Sequence, residues 1–388
     1  MHGLKLEPGN RVLLRGGNSI GMALSWLAVV KAGLIAVATM PLLRATELSK
    51  VIDKAQPVAA ICDARLLQEL EQAQQAFPAL QHVLRFNSPD DPSDLGQLVA
   101  HQAATFTACP TSADDIAMLA FTSGTTGAPK AVVHTHRDVL AACEAWPRHV
   151  LRPTSDDIVT GSPPLAFTFG LGGLLLFPMW AGATIYYHDA NYNPETMVRQ
   201  MSEQGVTTCY TSPTFYRQLA PHMKAIGVPS LRTCVSAGEA LPDATRQLWK
   251  DATGIEMLDG IGATEMFHIF ISSAGADVRR GAVGKVVPGY HAKVVDEQGA
   301  EVPRGTVGKL AVIGPTGCRY MDDERQRRYV PDGWNRPGDA FVQDEDDYFH
   351  YQARDDDMII TSGYNVGGPE VEDCLLTHPA VAECAVIG

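Results

Sequence analysis

RVLLRGGNSIGMALSWLAVVKAGLIAVATMPLLRATELSKVIDKAQPVAAIC, residues 11–62, decides the fold class. Three short apolar runs stand in it: Arg11-Val-Leu-Leu, Leu34 to Ala38, and Val58 to Cys62. Each has strand length, and helix-length stretches separate them, Ile20 to Lys31 (ending at Gly33) and Ala45 to Ala55. Alternation of this kind builds a parallel sheet covered by helices, because parallel neighbours need a crossover between them. The most apolar stretch, Met22 to Met40, is interrupted by Lys31 and Gly33, so it reads as a buried helix followed by a strand and not as a membrane span.

The rest of the chain extends the pattern. Asn87 to Asp94 is polar and punctuated, a surface loop. A second alternating block begins at Ile116-Ala-Met-Leu-Ala-Phe, a buried strand. From Gly281 onward, Gly284-Lys-Val-Val-Pro-Gly, Ala292-Lys-Val-Val-Asp and Gly308-Lys-Leu-Ala-Val-Ile alternate short β-rich runs with Gly and Pro turns, which predicts a small antiparallel sheet or barrel. The expected class is therefore α/β: two helix-covered, mostly parallel sheets with a small β-barrel-like subdomain at about 281–350.

At 388 residues, 45% hydrophobic and 19% charged, the chain can bury two or three packed units. Its 31 Lys plus Arg against 44 Asp plus Glu leave a net charge of -13, which repels nucleic-acid phosphates and anionic lipid. The eight cysteines are scattered without a Cys-x-x-Cys pair, so neither structural zinc nor a disulfide framework is expected, and a reducing cytoplasm fits. The start, MHGLKLEPGNR, lacks the pattern of a secretory leader.

Chemistry concentrates first in Phe121-Thr-Ser-Gly-Thr-Thr-Gly-Ala-Pro-Lys130. Thr122, Ser123, Thr125 and Thr126 bring hydroxyl donors, Gly124 and Gly127 allow backbone amides to approach closely, and Lys130 supplies positive charge, all after a buried strand. That set can wrap an oligophosphate. A plain Ser/Thr/Gly surface turn would need neither the preceding strand nor the Gly-x-Pro-Lys end. The spacing is not that of a Walker loop, since two residues separate Gly124 from Gly127 where that motif has four, and Lys130 precedes alanine.

TSGTTGAPK resembles the phosphate-binding loop of the adenylate-forming superfamily of acyl-CoA synthetases, luciferases and peptide-synthetase adenylation domains. The resemblance implies ATP, Mg²⁺ and coenzyme A as cofactors and a small-molecule carboxylic acid as substrate. It extends to Ser236-Ala-Gly-Glu-Ala-Leu-Pro242, similar to a segment where Gly238 and Glu239 would face adenine. In Asp259-Gly-Ile-Gly-Ala-Thr-Glu265, Asp259 would accept from the adenine amino group, Thr264 would hold the α-phosphate and Glu265 would bind Mg²⁺, a hard cation suited to oxygen ligands. Asp339 of Trp334-Asn-Arg-Pro-Gly-Asp would grip the ribose hydroxyls. In Arg354-Asp-Asp-Asp-Met-Ile-Ile-Thr-Ser-Gly-Tyr-Asn365, Arg354 would touch ribose, Asp356 would be a hinge and Gly363 would line the pantetheine tunnel. Lys130, Thr264 and Glu265 are the implied catalytic set.

Pro163-Pro-Leu-Ala-Phe-Thr-Phe-Gly-Leu-Gly172 and Glu265-Met-Phe-His-Ile-Phe270 look most like benzoate and 2-aminobenzoate CoA ligases. By that likeness Thr168, Phe169, Gly262, His268 and Ile269 would surround an aromatic ring, and Phe167 would gate it. Thr168 stands where the benzoate ligases are associated with alanine, which implies a polar ring substituent such as an ortho amino group. Alternatively, these aromatics are simply core.

The resemblance implies a domain at 1–355, incomplete at its start, and the beginning of a C-terminal α+β lid at 356–388. Both ends are expected to be truncated, with the family's lid lysine lying beyond Gly388. Loss of one such donor typically costs about 10²- to 10³-fold in rate. Two alternatives stay open: a catalytically impaired fragment that binds nucleotide or acyl-adenylate, and an adenylation domain that loads a carrier protein. Oligomeric state has no signal in the sequence.

Overall fold

The computed structural model describes residues 2–122, 129–188, 192–354, 359–361, 364–366, 368–376, 378, 380, 381 and 384–387. The first sheet is built from β1 (Arg11–Arg15), β2 (Ile35–Thr39), β3 (Ala59–Asp63), β4 (His82–Phe86), β5 (Ile116–Thr122) and β6 (Lys130–Thr135), in the order β4-β3-β1-β2-β5-β6. All neighbours are parallel except the β5–β6 pair, which is antiparallel. Strands β2 and β3 are buried along their whole length, as expected of strands covered on both faces. The helix Ile20–Lys31 starts where the Ser19 side chain accepts the Met22 N–H, and it buries Met22, Trp26 and Val29 against the sheet. At the end of β1 the buried Arg15 guanidinium donates to the carbonyls of Leu66, Met40, Pro41 and Leu43 at 2.8 to 3.3 Å, tying the strand to the segments after β2 and β3.

The second sheet contains β7 (Ile158–Gly161), β8 (Thr184–Ile185), β9 (Thr208–Thr211), β10 (Thr233–Ser236), β11 (Leu258–Gly262), β12 (Ile269–Ser272) and β13 (Lys285–Val286), ordered β13-β12-β11-β10-β9-β7-β8. Its β8–β7–β9–β10–β11 part is parallel, and β12 and β13 add antiparallel strands at one edge. The small unit is a four-stranded antiparallel sheet of β14 (His291–Val295), β15 (Gly308–Ile313), β16 (Asp339–Gln343) and β17 (Phe349–Arg354). A two-stranded ribbon, β18 (Ile359–Thr361) and β19 (Tyr364–Val366), and the helix Gly368–Leu376 follow.

The α/β expectation therefore holds, with one redistribution. The Gly284-Lys-Val-Val run is shared between the sheets: Lys285 and Val286 pair with Ser272 and Ile271 at the edge of the larger one, while Gly284 bridges to Phe349 of β17 in the small one. An edge strand of two residues carries too little pattern to reveal its partner. Among the described residues no helix is long and apolar enough to cross a membrane.

Candidate active site

A cleft of about 520 Å³ opens beyond the carboxyl ends of β10 and β11 and is closed on the far side by β16 and β17. Crevices at this end of a parallel sheet are where such folds bind ligands, because the connecting loops there are free to vary. Gly238, Glu239, Asp259, Gly262, Asp339 and Arg354, spread over more than a hundred positions of sequence, all line it. Asp339 and Arg354 are directly opposite in the β16–β17 register, and Arg354 Nη1 donates to Asp339 Oδ1 at 2.9 Å. Glu239 is turned partly away: its carboxylate accepts from the Thr214 N–H and hydroxyl at 3.2 and 2.7 Å, so its own backbone is the part left for a ligand. Asp259 is buried, with Oδ1 accepting the Gly260 N–H at 2.9 Å, and burial pushes its carboxyl up to about 7 against the pull of Arg246 and that N–H.

Farther along the same segment, Glu265 is buried and accepts the Tyr320 hydroxyl at 2.5 Å. Lys130, the first residue of β6, donates to the same hydroxyl oxygen at 3.3 Å, and its ammonium sits 5.2 Å from the Tyr320 ring centre. Tyr320 is held there by backbone pairing: the Met321 N–H bonds the Ala131 carbonyl at 2.9 Å and the Val133 N–H bonds the Arg319 carbonyl at 2.7 Å. Burial and the adjacent Glu265 carboxylate push the tyrosine hydroxyl far above its ordinary range, so it stays a donor to Glu265. A buried carboxylate with one oxygen so engaged suits a hard divalent cation whose remaining ligands are phosphate oxygens and water. The Thr264 carbonyl lies 2.8 Å from His134 Nε2. Between Glu265 and His268, Phe267 adopts φ +71° and ψ -52°, a region non-glycine residues rarely enter, and the turn it makes sends Glu265 and His268 to different surroundings.

The proposed ring site is an aromatic cluster. His268 lies 4.6 Å from Phe177, 5.3 Å from Trp146 and 5.5 Å from Phe169 between ring centres, and Tyr210 joins through Phe169 at 5.9 Å and Trp146 at 6.4 Å. Glycine permits the approach: a Cβ at Gly172 would stand 2.6 Å from His268 Cδ2, and one at Gly262 would stand 2.8 Å from the His268 carbonyl. Thr168 and Ile269 are buried beside this cluster in sequence and Phe169 belongs to it, whereas Phe167 is 37% exposed and makes none of its ring contacts among the described residues.

His268 and His134 are wholly buried, and burial holds the first down at about 3 and the second well below the usual histidine range. In an unfolded chain both would take up protons near pH ~6.5. Between there and about pH 4 the unfolded state thus binds protons the native state refuses, and stability falls as pH drops, by about 1.4 kcal/mol per unit for each histidine. Urea midpoints at pH 7.5 and 5.5 should show this decline, and His268→Gln should remove part of its slope. An identical slope in the variant would mean the histidine is not held neutral.

Ser123, Gly124, Thr125, Thr126, Gly127, Asp356 and Gly363 lie outside the described residues. Thr122 ends β5 and pairs with Lys130 across the β5–β6 hairpin, so the two described ends of the hydroxyl-rich loop face each other. Tyr320, Trp146, Phe177, Tyr210 and Arg246 escaped the sequence reading. The four aromatic residues are far in sequence from their partners, and Arg246, 10 to 13 residues from Glu256, Met257 and Asp259, stands in no quoted motif.

Comparison with known proteins gives concordant results. The family described as AMP-binding enzyme matches residues 1–319. The chain is 34% identical over 390 residues to a benzoate–CoA ligase of Thauera aromatica, covering 99% of this chain and 74% of that protein. It is 30% identical over 400 residues to an anthranilate–CoA ligase of Pseudomonas aeruginosa, covering 98% and 74%. Among solved structures, the anthranilate CoA ligase AuaEII in complex with anthranoyl-AMP superposes with a TM-score of 0.94 at 35% identity, covering all of this chain and 76% of that one.

Proposed function

The chain belongs to the family of AMP-binding enzymes, and from that premise we propose that it activates a small aromatic carboxylic acid with ATP and passes the acyl group to coenzyme A. Benzoate and 2-aminobenzoate are the acids favoured, on the names of the relatives and on the aromatic cluster beside Gly262. The observation that carries the reading is the joining of Asp259, Asp339 and Arg354 in one cleft, lined also by Gly262, three residues before Glu265 in the chain.

In the first half-reaction a carboxylate oxygen bonds to the α-phosphorus while the bond to pyrophosphate breaks. Two anions approach, so charge must be met as it develops. Lys130 supplies a fixed cation and Thr264 a donor to the α-phosphate. Glu265, oriented by the Tyr320 hydroxyl, would hold Mg²⁺, which when bound neutralises phosphate charge. Asp339 accepts from the ribose hydroxyls beside Arg354, Asp259 accepts from the adenine amino group, and the backbone at Gly238 and Glu239 flanks the base. The cluster around His268 orients the ring and excludes water, with Phe167 at the entrance. In the second half-reaction a thiol sulfur bonds to the acyl carbon and AMP leaves; Asp356 as hinge and Gly363 in the thiol's path belong to this step. The residues up to 355 form the main domain and those from 356 belong to a lid. A cytoplasmic setting fits the eight free cysteines.

The test is pyrophosphate release from ATP with a panel of benzoates, followed by thioester formation with free coenzyme A. Release that requires an aromatic acid, and a thioester on coenzyme A, are expected. Adenylate without transfer to coenzyme A would favour a carrier protein as acceptor, and absence of any acid-dependent release would remove the ligase reading.

A further inference from the structure

Beneath the cleft, on the helix Asp243–Thr253, Arg246 is only 6% exposed yet lines the pocket wall. Its Nη1 donates to Glu256 Oε1 at 2.9 Å and to the Met257 carbonyl at 3.0 Å. Its Nη2 stands 3.7 Å from Asp259 Oδ2, close enough for charge to act and too far for a hydrogen bond. Its Nε is buried with no partner among the described residues. Burying a guanidinium is costly, and an apolar side chain of similar volume would pack this helix face without that cost. What the arginine adds is positive charge beneath a buried carboxylate that faces the cleft.

We infer that Arg246 is a positioning residue that draws Asp259 toward its ionised, accepting form and thereby makes the cleft select a purine bearing an exocyclic amino group over a 6-oxopurine. The inference rests on the proposed function, in which the base lies against Asp259, and adds the determinant of base choice. An amino group donates to a carboxylate. A 6-oxo group presents only an acceptor there, so carbonyl and carboxylate repel and both lose their partners on burial. A protonated Asp259 would reverse this by donating to the oxo group. Burial alone drives Asp259 toward that neutral form, and Arg246 is the largest influence opposing it.

The test compares wild type with Arg246→Gln, Arg246→Lys and Glu256→Gln, titrating each with ATP and with inosine triphosphate, the 6-oxo analogue, in the presence of Mg²⁺ by calorimetry. Wild type is expected to prefer ATP by about tenfold or more, the cost of one buried mismatched hydrogen bond. Arg246→Gln keeps amide donors for Glu256 and Met257 while removing the charge, and its preference should shrink to within about threefold, with KM for ATP rising and kcat at saturating ATP nearly unchanged. Arg246→Lys keeps the charge and should keep the preference. Glu256→Gln loosens the brace alone and should keep it too. A folded Arg246→Gln with the wild-type ratio overturns the inference, as does loss of the preference in Arg246→Lys or Glu256→Gln. Should Arg246→Gln fail to fold, by circular dichroism, the lysine variant decides. Wild type that binds ATP and inosine triphosphate equally also overturns it while leaving the ligase reading intact, whereas wild type that binds neither defeats that reading itself.

Discussion

Glu265→Gln is expected to lower acid-dependent pyrophosphate release by about 10²- to 10³-fold, the usual loss when one fixed electrostatic element is removed from a charge-developing transition state. Glutamine preserves the shape of the side chain and can still accept the Tyr320 hydroxyl bond, which the carboxylate receives at 2.5 Å. What it removes is negative charge at a buried position, the feature a divalent cation requires. The measurement is release rate across a Mg²⁺ titration, with the variant requiring a higher concentration for half-maximal rate. A rate within a few-fold of wild type at limiting Mg²⁺ would show that the metal is held elsewhere. Because Lys130 touches the same hydroxyl oxygen at 3.3 Å, Tyr320→Phe offers a companion that leaves both charges in place and removes only their common contact.

Asp339→Ala is expected to weaken ATP binding by about 10²-fold, since it deletes an acceptor able to take two charge-assisted hydrogen bonds from the ribose. The loss has a second source in the protein itself. Arg354 Nη1 donates to Asp339 Oδ1 at 2.9 Å, so the variant also frees an arginine at the rim. Calorimetry with ATP and with its 2′,3′-dideoxy analogue separates the two. Wild type should discriminate strongly between them, and Asp339→Ala should bind both alike. A variant that still prefers the natural sugar would place the ribose away from β16.

The gathering of Gly238, Asp259, Asp339 and Arg354 at one cleft was legible because these residues sit in short contiguous segments whose local form is self-determined. A strand that runs into glycine-rich sequence, or a Gly-Asp opening a strand, poses its side chain within a few residues, as Asp259 in β11 and Asp339 at the start of β16 do. Arg354 was readable too, although its contact with Asp339 depends on the antiparallel register of β16 and β17. The aromatic cluster was legible only in part. His268, Phe169 and Thr168 stand within quoted motifs, but Trp146, Phe177 and Tyr210 complete the cluster from three other elements. The exposed position of Phe167, and the turning of the Glu239 carboxylate toward Thr214, were likewise beyond local pattern.

By itself the sequence determined the alternation of strands and helices, and with it a parallel-rich sheet whose loop ends must carry the chemistry, because apolar periodicity and turn residues act over a few neighbours. Only the tertiary structure decided which groups share a charge or a proton: Tyr320 between Lys130 and Glu265, Arg246 beneath Asp259, His268 neutral against three aromatic rings. Those pairings depend on burial and on distances between separate segments of the chain, and electrostatic interaction at close range in a poorly hydrated interior is set by separation in space, which no sequence interval encodes.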